Sequence, residues 1–267
     1  PAGGESVKER KNKQENPLKI NILGATPLDF SINSTLDSIK EFLSQHFEII
    51  SIFAMGSSIE DIQRAGEADV NLVISSVGVL AAKVLEERFH TPYVIGTPII
   101  GFENVLAEKL IESAWTKKSQ TAYFNVSQKA HKKDTANSTT IQNTEAVSNL
   151  KKIRSLTETI EKNKVSGNVY IIGESVISQS LKAALALRYG IEATVICPLE
   201  TEPEYTEKDV LLLSSEEDIK KAIMDADTVI ADPIYKTICS EKVNFVAMPH
   251  EAYSGRIYRK EVCDFIH

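Results

Sequence analysis

The sequence predicts an α/β protein of two three-layer units, each a parallel sheet between helices, related by an internal repeat and facing across a cleft. Three observations lead there. Short apolar, β-branched runs alternate with amphipathic helical patterns in both halves, the signature of parallel strands covered on both faces. Two strand-to-turn openings recur, KINIL before Gly24-Ala25-Thr26-Pro27 and NVYII before Gly173-Glu174-Ser175. Finally, SSIEDIQRAGEAD (57–69) reads almost like SSEEDIKKAIMDAD (214–227).

In the first half, strand 19–23 leads to a helix over 34–47, with Leu36, Ile39 and Leu43 on one face. Strand 48–55, the acidic stretch, strand 70–76, a further helix and strand 92–96 follow. The second half repeats this order with strand 168–172, helix 178–190, strand 192–197, the acidic stretch, strand 228–232, a further helix and strand 244–248. Each half therefore reads as four strands, and right-handed crossovers make each a Rossmann-like unit. The second unit is longer between its first turn and its acidic stretch, and ETEPEYTE (200–207) supplies the excess. The expected division is a disordered or linker segment over 1–17, a first Rossmann-like domain over 18–116, a polar linker and crossover helix over 117–166, and a second domain over 167–267. A helix over 101–116 closes the first domain, and a helical run over 145–164 enters the second.

The repeated stretches raise a choice between shared acid chemistry and fold punctuation. Ser57 with Glu60 and Ser214 with Glu217 have capping-box spacing. Ile59, Ile62 and Ala65, like Ile219, Ala222 and Ile223, supply an apolar face. Asp69 and Asp227 fall at the turn before a buried strand. Punctuation explains all of them.

Composition excludes several classes. The chain is 42% hydrophobic and 25% charged, as in globular proteins, and its formal charge of -7 gives no basic face for nucleic acid. No apolar run reaches membrane-spanning length. The polar opening has no apolar signal-peptide region, so a cytoplasmic location is expected. Three scattered cysteines, Cys197, Cys239 and Cys263, form neither a disulfide framework nor a zinc motif. Neither GxGxxG, a phosphate loop nor GxSxG occurs.

Ligands of open α/β sheets bind beyond the carboxyl ends of the strands. Those ends nominate Gly24, Thr26, Ser57, Ser75, Gly96 and Thr97 from one unit and Gly173 and Glu174 from the other. His250, in MPHEAYSGRIY (248–258) after the last strand, is the candidate catalytic residue, because imidazole exchanges protons near neutral pH. As a histidine in a turn, it is expected to be replaceable with a surface-sized effect on stability.

The run VNLVISSVGVLAAKVLEERFHTPYVIGTPIIG (70–101), the preceding INILG strand and the later HEAYSG turn resemble the nitrogenase component 1 superfamily. That group includes nitrogenase subunits, cofactor-scaffold relatives and the light-independent (dark-operative) protochlorophyllide and chlorophyllide reductases. The resemblance implies that this chain corresponds to the second and third of three Rossmann-like domains, without the domain bearing the cluster cysteines. Ser75 stands where the nitrogenase pattern has a cluster-ligating Cys, and a hydroxyl is a poor cluster ligand. The arginines following the nitrogenase Gly-Gly turn are absent at Gly173-Glu174-Ser175-Val176. His250 matches a cofactor-ligand position, which leaves it a possible metal ligand. The resemblance therefore implies a fragment of an oxidoreductase subunit that reduces something other than dinitrogen. Its implied partners are a homologous subunit and an ATP-dependent iron–sulfur reductase, with the iron–sulfur cluster belonging to the complete protein and none expected in this chain. The alternative is a non-catalytic scaffold or binding module for a metallocluster or tetrapyrrole.

Overall fold

A computed structural model describes residues 16–30, 35–126, 154–258 and 262–266 of the 267-residue chain. The first unit runs β1 (Leu18–Leu23), α1 (Thr35–Ser44), β2 (Phe47–Ile52), α2 (Ile59–Gln63), β3 (Val70–Val73), α3 (Val79–Phe89), β4 (Tyr93–Ile95), α4 (Glu103–Thr116) and β5 (Gln120–Thr121). β6 (Arg154–Ser155) and α5 (Leu156–Lys162) lead to the second unit. That unit comprises β7 (Val169–Ile172), α6 (Ser175–Tyr189), β8 (Ala193–Cys197), β9 (Leu211–Leu212), α7 (Glu216–Ala222), β10 (Thr228–Ala231) and β11 (Asn244–Ala247). α8 (Gly255–Tyr258) and β12 (Cys263–Asp264) follow.

Each unit contains a five-stranded parallel sheet, ordered β2-β1-β3-β4-β5 in the first and β11-β10-β7-β8-β9 in the second. The expectation of four strands per unit is corrected, yet the repeat survives in the core. The order β2-β1-β3-β4 corresponds to β8-β7-β10-β11, and α2 and α7 both precede the third core strand. The fifth strands lie on opposite edges. β5 falls in the stretch expected to be linker and extends the sheet beyond β4, while β9 follows the acidic insertion and extends beyond β8. The further helix expected before the last strand of the second unit is instead a 3₁₀ segment, Pro233–Ile238, started by a proline at its first turn. Of the helical run expected over 145–164, residues 156–162 are helical; the part before residue 154 lies outside the described residues, as do residues 1–15 of the expected leading segment.

The repeated acidic stretches resolve as punctuation, with a different capping register. The capping box of α2 joins Ser58 to Asp61, one residue later than expected. Ser57 turns its hydroxyl back to accept from the Ile52 amide at 2.7 Å. α7 starts at Ser215 without a side-chain cap. Ile59 and Ile62 are exposed, so the expected apolar face of α2 reduces to Ala65 just beyond it, whereas Ile219 and Ile223 are buried. The terminal aspartates are the equivalent parts. The Asp69 carboxylate accepts from the Lys19 amide at 2.8 Å, and its own amide donates to the Lys19 carbonyl. Asp227 makes the same pair with Asn168, its carboxylate accepting at 2.8 Å. Each aspartate pins the entrance of its unit's first strand.

The units meet on α6. Every residue from Ser175 to Ala186 is buried, as suits a helix covered on all sides, and its Ser and Ala side chains permit close approach. One apolar cluster joins Leu23, Val73 and Ile99 of the first unit to Val176, Leu181 and Leu185 of this helix. The Ser180 hydroxyl accepts from the Thr97 amide at 2.9 Å. The acidic insertion lies along the first unit, with Lys83 reaching Glu202 and Glu204 at 2.9 Å each and the Tyr123 hydroxyl donating to the Tyr205 carbonyl at 2.7 Å. The chain end also returns to the first unit. β12 pairs with β6, Thr35 donates to the Cys263 carbonyl, and the Ile100 amide donates to the Phe265 carbonyl.

Candidate functional site

The carboxyl ends of β1 and β3 oppose those of β7, β10 and β11, and the space between them is tightly filled. Gly24 has φ +87°, and a Cβ there would lie 2.8–3.0 Å from the Oγ, O and N atoms of Ser75. This glycine therefore makes room for the close approach of Ser75. Ser75 is fully buried, and its hydroxyl lies 2.8 Å from the Gly24 carbonyl and 3.0 Å from Asp29 Oδ2. Thr26 donates to the same Asp29 oxygen at 2.8 Å. Two strand-end hydroxyls thus hold one Asp29 oxygen, while Oδ1 faces His250 Nε2 across the inter-unit boundary at 3.7 Å, an ion-pair separation too long for a hydrogen bond.

On the second unit, Asp232 ends β10 and organises the turn that carries His250. Its Oδ2 accepts from the His250 amide at 2.8 Å and from the Ser254 hydroxyl at 2.8 Å, and Oδ1 accepts from the Ile234 amide. The imidazole is mostly buried, with its ring centroid 5.3 Å from that of Tyr253. The expectation of a surface histidine is thus corrected: the turn folds inward against Asp29. The Ala252 amide donates to Nδ1 at 3.3 Å, so a neutral ring carries its proton on Nε2. Burial depresses the His250 pKa, opposed by the negative charges of Asp29, Asp232 and Glu251.

Glu174 is the N-cap of α6 and nearly fully buried. Its Oε2 accepts from the Ile177 amide at 2.8 Å and its Oε1 from the Ser76 amide of the first unit at 2.9 Å. Desolvation raises its pKa, partly offset by these two amides. Gly173, Glu174 and His250 line one small cavity together with Asp29, Asp232, Ser178 and Tyr253. Thr26 and Ser75 reach it through Asp29. The other nominated residues lie elsewhere. Ser57 closes the turn after β2; a Cβ on Gly96 would meet Leu106 at 3.0 Å; and Thr97 sits against α6, its hydroxyl donating to the Ile74 carbonyl. Asp29, Asp232 and Ser178 were not nominated. Asp232 sits at a strand end and was open to the same rule, whereas Asp29 lies well past its strand and carries no local signal.

Among the described residues, no three His, Cys, Asp or Glu side chains converge as a metal-binding set. Cys197 and Cys263 are buried in separate elements, and burial pushes the Cys197 thiol up to about 11. This donor set does not fit an iron–sulfur cluster, which needs convergent thiolates. Among the described residues, no helix is long and apolar enough to cross a membrane.

The arrangement defines a class: a two-unit Rossmann-like α/β protein whose strand ends meet at a histidine–carboxylate pair. The sequence profile of the nitrogenase component 1 type oxidoreductases matches residues 4–233, and the chain belongs to that family. It is similar to a light-independent protochlorophyllide reductase subunit from Leptolyngbya boryana, at 36% identity over 89 residues, 33% of this chain and 17% of that protein. The corresponding protein of Rhodopseudomonas palustris (strain TIE-1) is 36% identical over 101 residues, 37% of this chain and 18% of that protein. Each match thus covers under a fifth of the relative's length. A solved nitrogenase, "Nitrogenase Cp1 at pH 5", aligns over 91% of this chain and 53% of its own, with 13% identity and a TM-score of 0.47.

Proposed function

We propose that this chain is part of a nitrogenase component 1-like oxidoreductase subunit that reduces a substrate other than dinitrogen. It would work in the cytoplasm with a homologous partner subunit and take electrons from an ATP-dependent iron–sulfur reductase. The family match over most of the chain carries this reading. Ser75 supports the exclusion of dinitrogen chemistry. Its hydroxyl is committed to Gly24 and Asp29 inside a closed network, where it has no freedom to replace a thiolate ligand. The iron–sulfur cluster that the family implies would be held outside these residues.

In this reading, His250 handles protons. The neutral ring can take up a proton, hold it as imidazolium opposite the Asp29 carboxylate, and pass it on at the strand ends to return to the neutral form, while Asp232 fixes the turn. The likeness to protochlorophyllide reductase subunits makes a protochlorophyllide-type tetrapyrrole the first substrate to try. The test is reconstitution of the complete protein with its partner subunit, a reductase and ATP, following tetrapyrrole reduction by absorbance. ATP-dependent loss of the substrate band is expected, and binding without reduction would reject this reading.

One observation favours a second reading, that of a non-catalytic scaffold or binding module. The cavity at His250 is about 30 Å³, room for water but not for a tetrapyrrole or metallocluster, so a large ligand would have to bind away from these strand ends. Binding without reduction is the result this second reading predicts.

A further inference from the structure

We infer that the inter-unit cavity is a binding site for one or two internal waters, held by Ser178 Oγ, His250 Nε2 and Tyr253 Oη. Two features converge on it. The cavity's volume of about 30 Å³ exceeds the ~10–15 Å³ that one water needs. Ser178 Oγ, His250 Nε2 and Tyr253 Oη are buried in its lining, each outside any hydrogen bond of standard geometry among the described residues, although the Tyr253 hydroxyl lies close to that of Tyr235. Such atoms are rare in native proteins because leaving one unpaired inside costs about 1–3 kcal/mol. Three around one small space is the arrangement that an internal water satisfies, since it uses 2–4 partners.

The chemistry of the lining selects the occupant. Asp29, Glu174 and Asp232 surround the space, so an anion is repelled. Two carboxylates already have their oxygens engaged: Asp232 accepts from three amides and the Ser254 hydroxyl, and Glu174 accepts from two amides. The remaining groups are Asp29 Oδ1, an acceptor, hydroxyls that can donate or accept, and an imidazole that donates from Nε2. A neutral molecule with both capacities matches them. The water would accept from His250 Nε2–H, whose distance of 3.7 Å from Asp29 Oδ1 leaves this donor without a direct acceptor. It would thereby link α6 of the second unit, through Ser178, to the turn after β11. This inference concerns the cavity alone and holds whether or not the protein is an enzyme.

The test is a crystal structure of the protein at a resolution that shows internal waters, paired with water relaxation dispersion in solution. An ordered water within hydrogen-bond distance of all three atoms is expected. Ser178→Val, which fills the space with methyl groups, should remove it and lower the count of long-lived waters by one or two. Ser178→Ala, a smaller change to the fold, should keep a water that exchanges faster. An empty cavity in the unsubstituted protein would overturn the inference, as would an imidazole turned to bond Asp29 directly. An unchanged count in Ser178→Val would do the same.

Discussion

Replacing Gly24 with Ala separates two roles that a strand-end glycine can have. If Gly24 makes room for a ligand, the alanine variant should fold normally and lose only function. The structure says otherwise, because the space is occupied by Ser75 backbone and side-chain atoms 2.8–3.0 Å from the new Cβ. Gly56 is the internal control: its φ is +96°, and nothing lies within 4 Å of a Cβ built there. Both substitutions carry the conformational cost of a positive φ, about 1 kcal/mol. Gly24→Ala adds overpacking against backbone, ~1–3 kcal/mol more, giving roughly 2–4 kcal/mol in total. Urea unfolding followed by circular dichroism reads the difference between the two variants directly. In a protein of this size it corresponds to a melting point lower by several degrees in Gly24→Ala than in Gly56→Ala. Equal stability of the two would refute the claim that Ser75 fills the strand-end space.

Asp69→Ala and Asp227→Ala each remove the acceptor for an amide at the start of the unit's first strand, so each should lose about 1–2 kcal/mol in denaturant titrations. A neutral effect in one and a severe effect in the other would break the equivalence of the units. Lys83→Ala severs exposed ion pairs to Glu202 and Glu204, so it should cost under about 1 kcal/mol and give a smaller salt dependence than the parent protein. Because burial lowers the His250 pKa in the folded state, the unfolded chain binds the proton more readily, and stability should decline as pH falls below about 6.5. His250→Gln should flatten that decline, and an identical slope in the variant would remove His250 as its source. Glu174 acts with the opposite sign in the acid range, since its raised pKa favours the folded state as protons bind.

The sequence carried the core of both sheets because parallel strands buried on both faces leave continuous apolar runs, as in INIL and VIA. It carried the repeat through Asp69 and Asp227, whose position before a strand is a fixed structural need. The capping register was not legible, since each stretch begins with two serines and either can cap. Ile59 and Ile62 match a buried helix face in pattern, but α2 is a short surface turn over which nothing packs among the described residues. Gln120–Thr121 and Leu211–Leu212 are two-residue edge strands, too short for any periodicity to show. The return of Cys263–Asp264 to β6 depends on contacts across more than a hundred residues, which no local pattern encodes. The site was half legible for the same reason. Glu174 and His250 stand at or near strand ends, where the rule for open sheets looks, whereas Asp29 is recruited by Thr26 and Ser75 only once the strands are assembled.

The central claim is that the strand-end pair His250–Asp29 handles protons in a reductase-driven enzyme, and one measurement tests it most directly. The complete complex carrying His250→Ala is compared with its parent for reductase- and ATP-dependent turnover, with the stability of both measured alongside. The buried imidazole packed on Tyr253 makes a loss of ~1–3 kcal/mol in stability the expected background. Turnover should fall by about 10²–10⁴-fold under conditions where the variant is fully folded, the usual scale for removing a positioned acid or base. Parent-level turnover in a folded His250→Ala complex would contradict the account and move the chemistry away from this site.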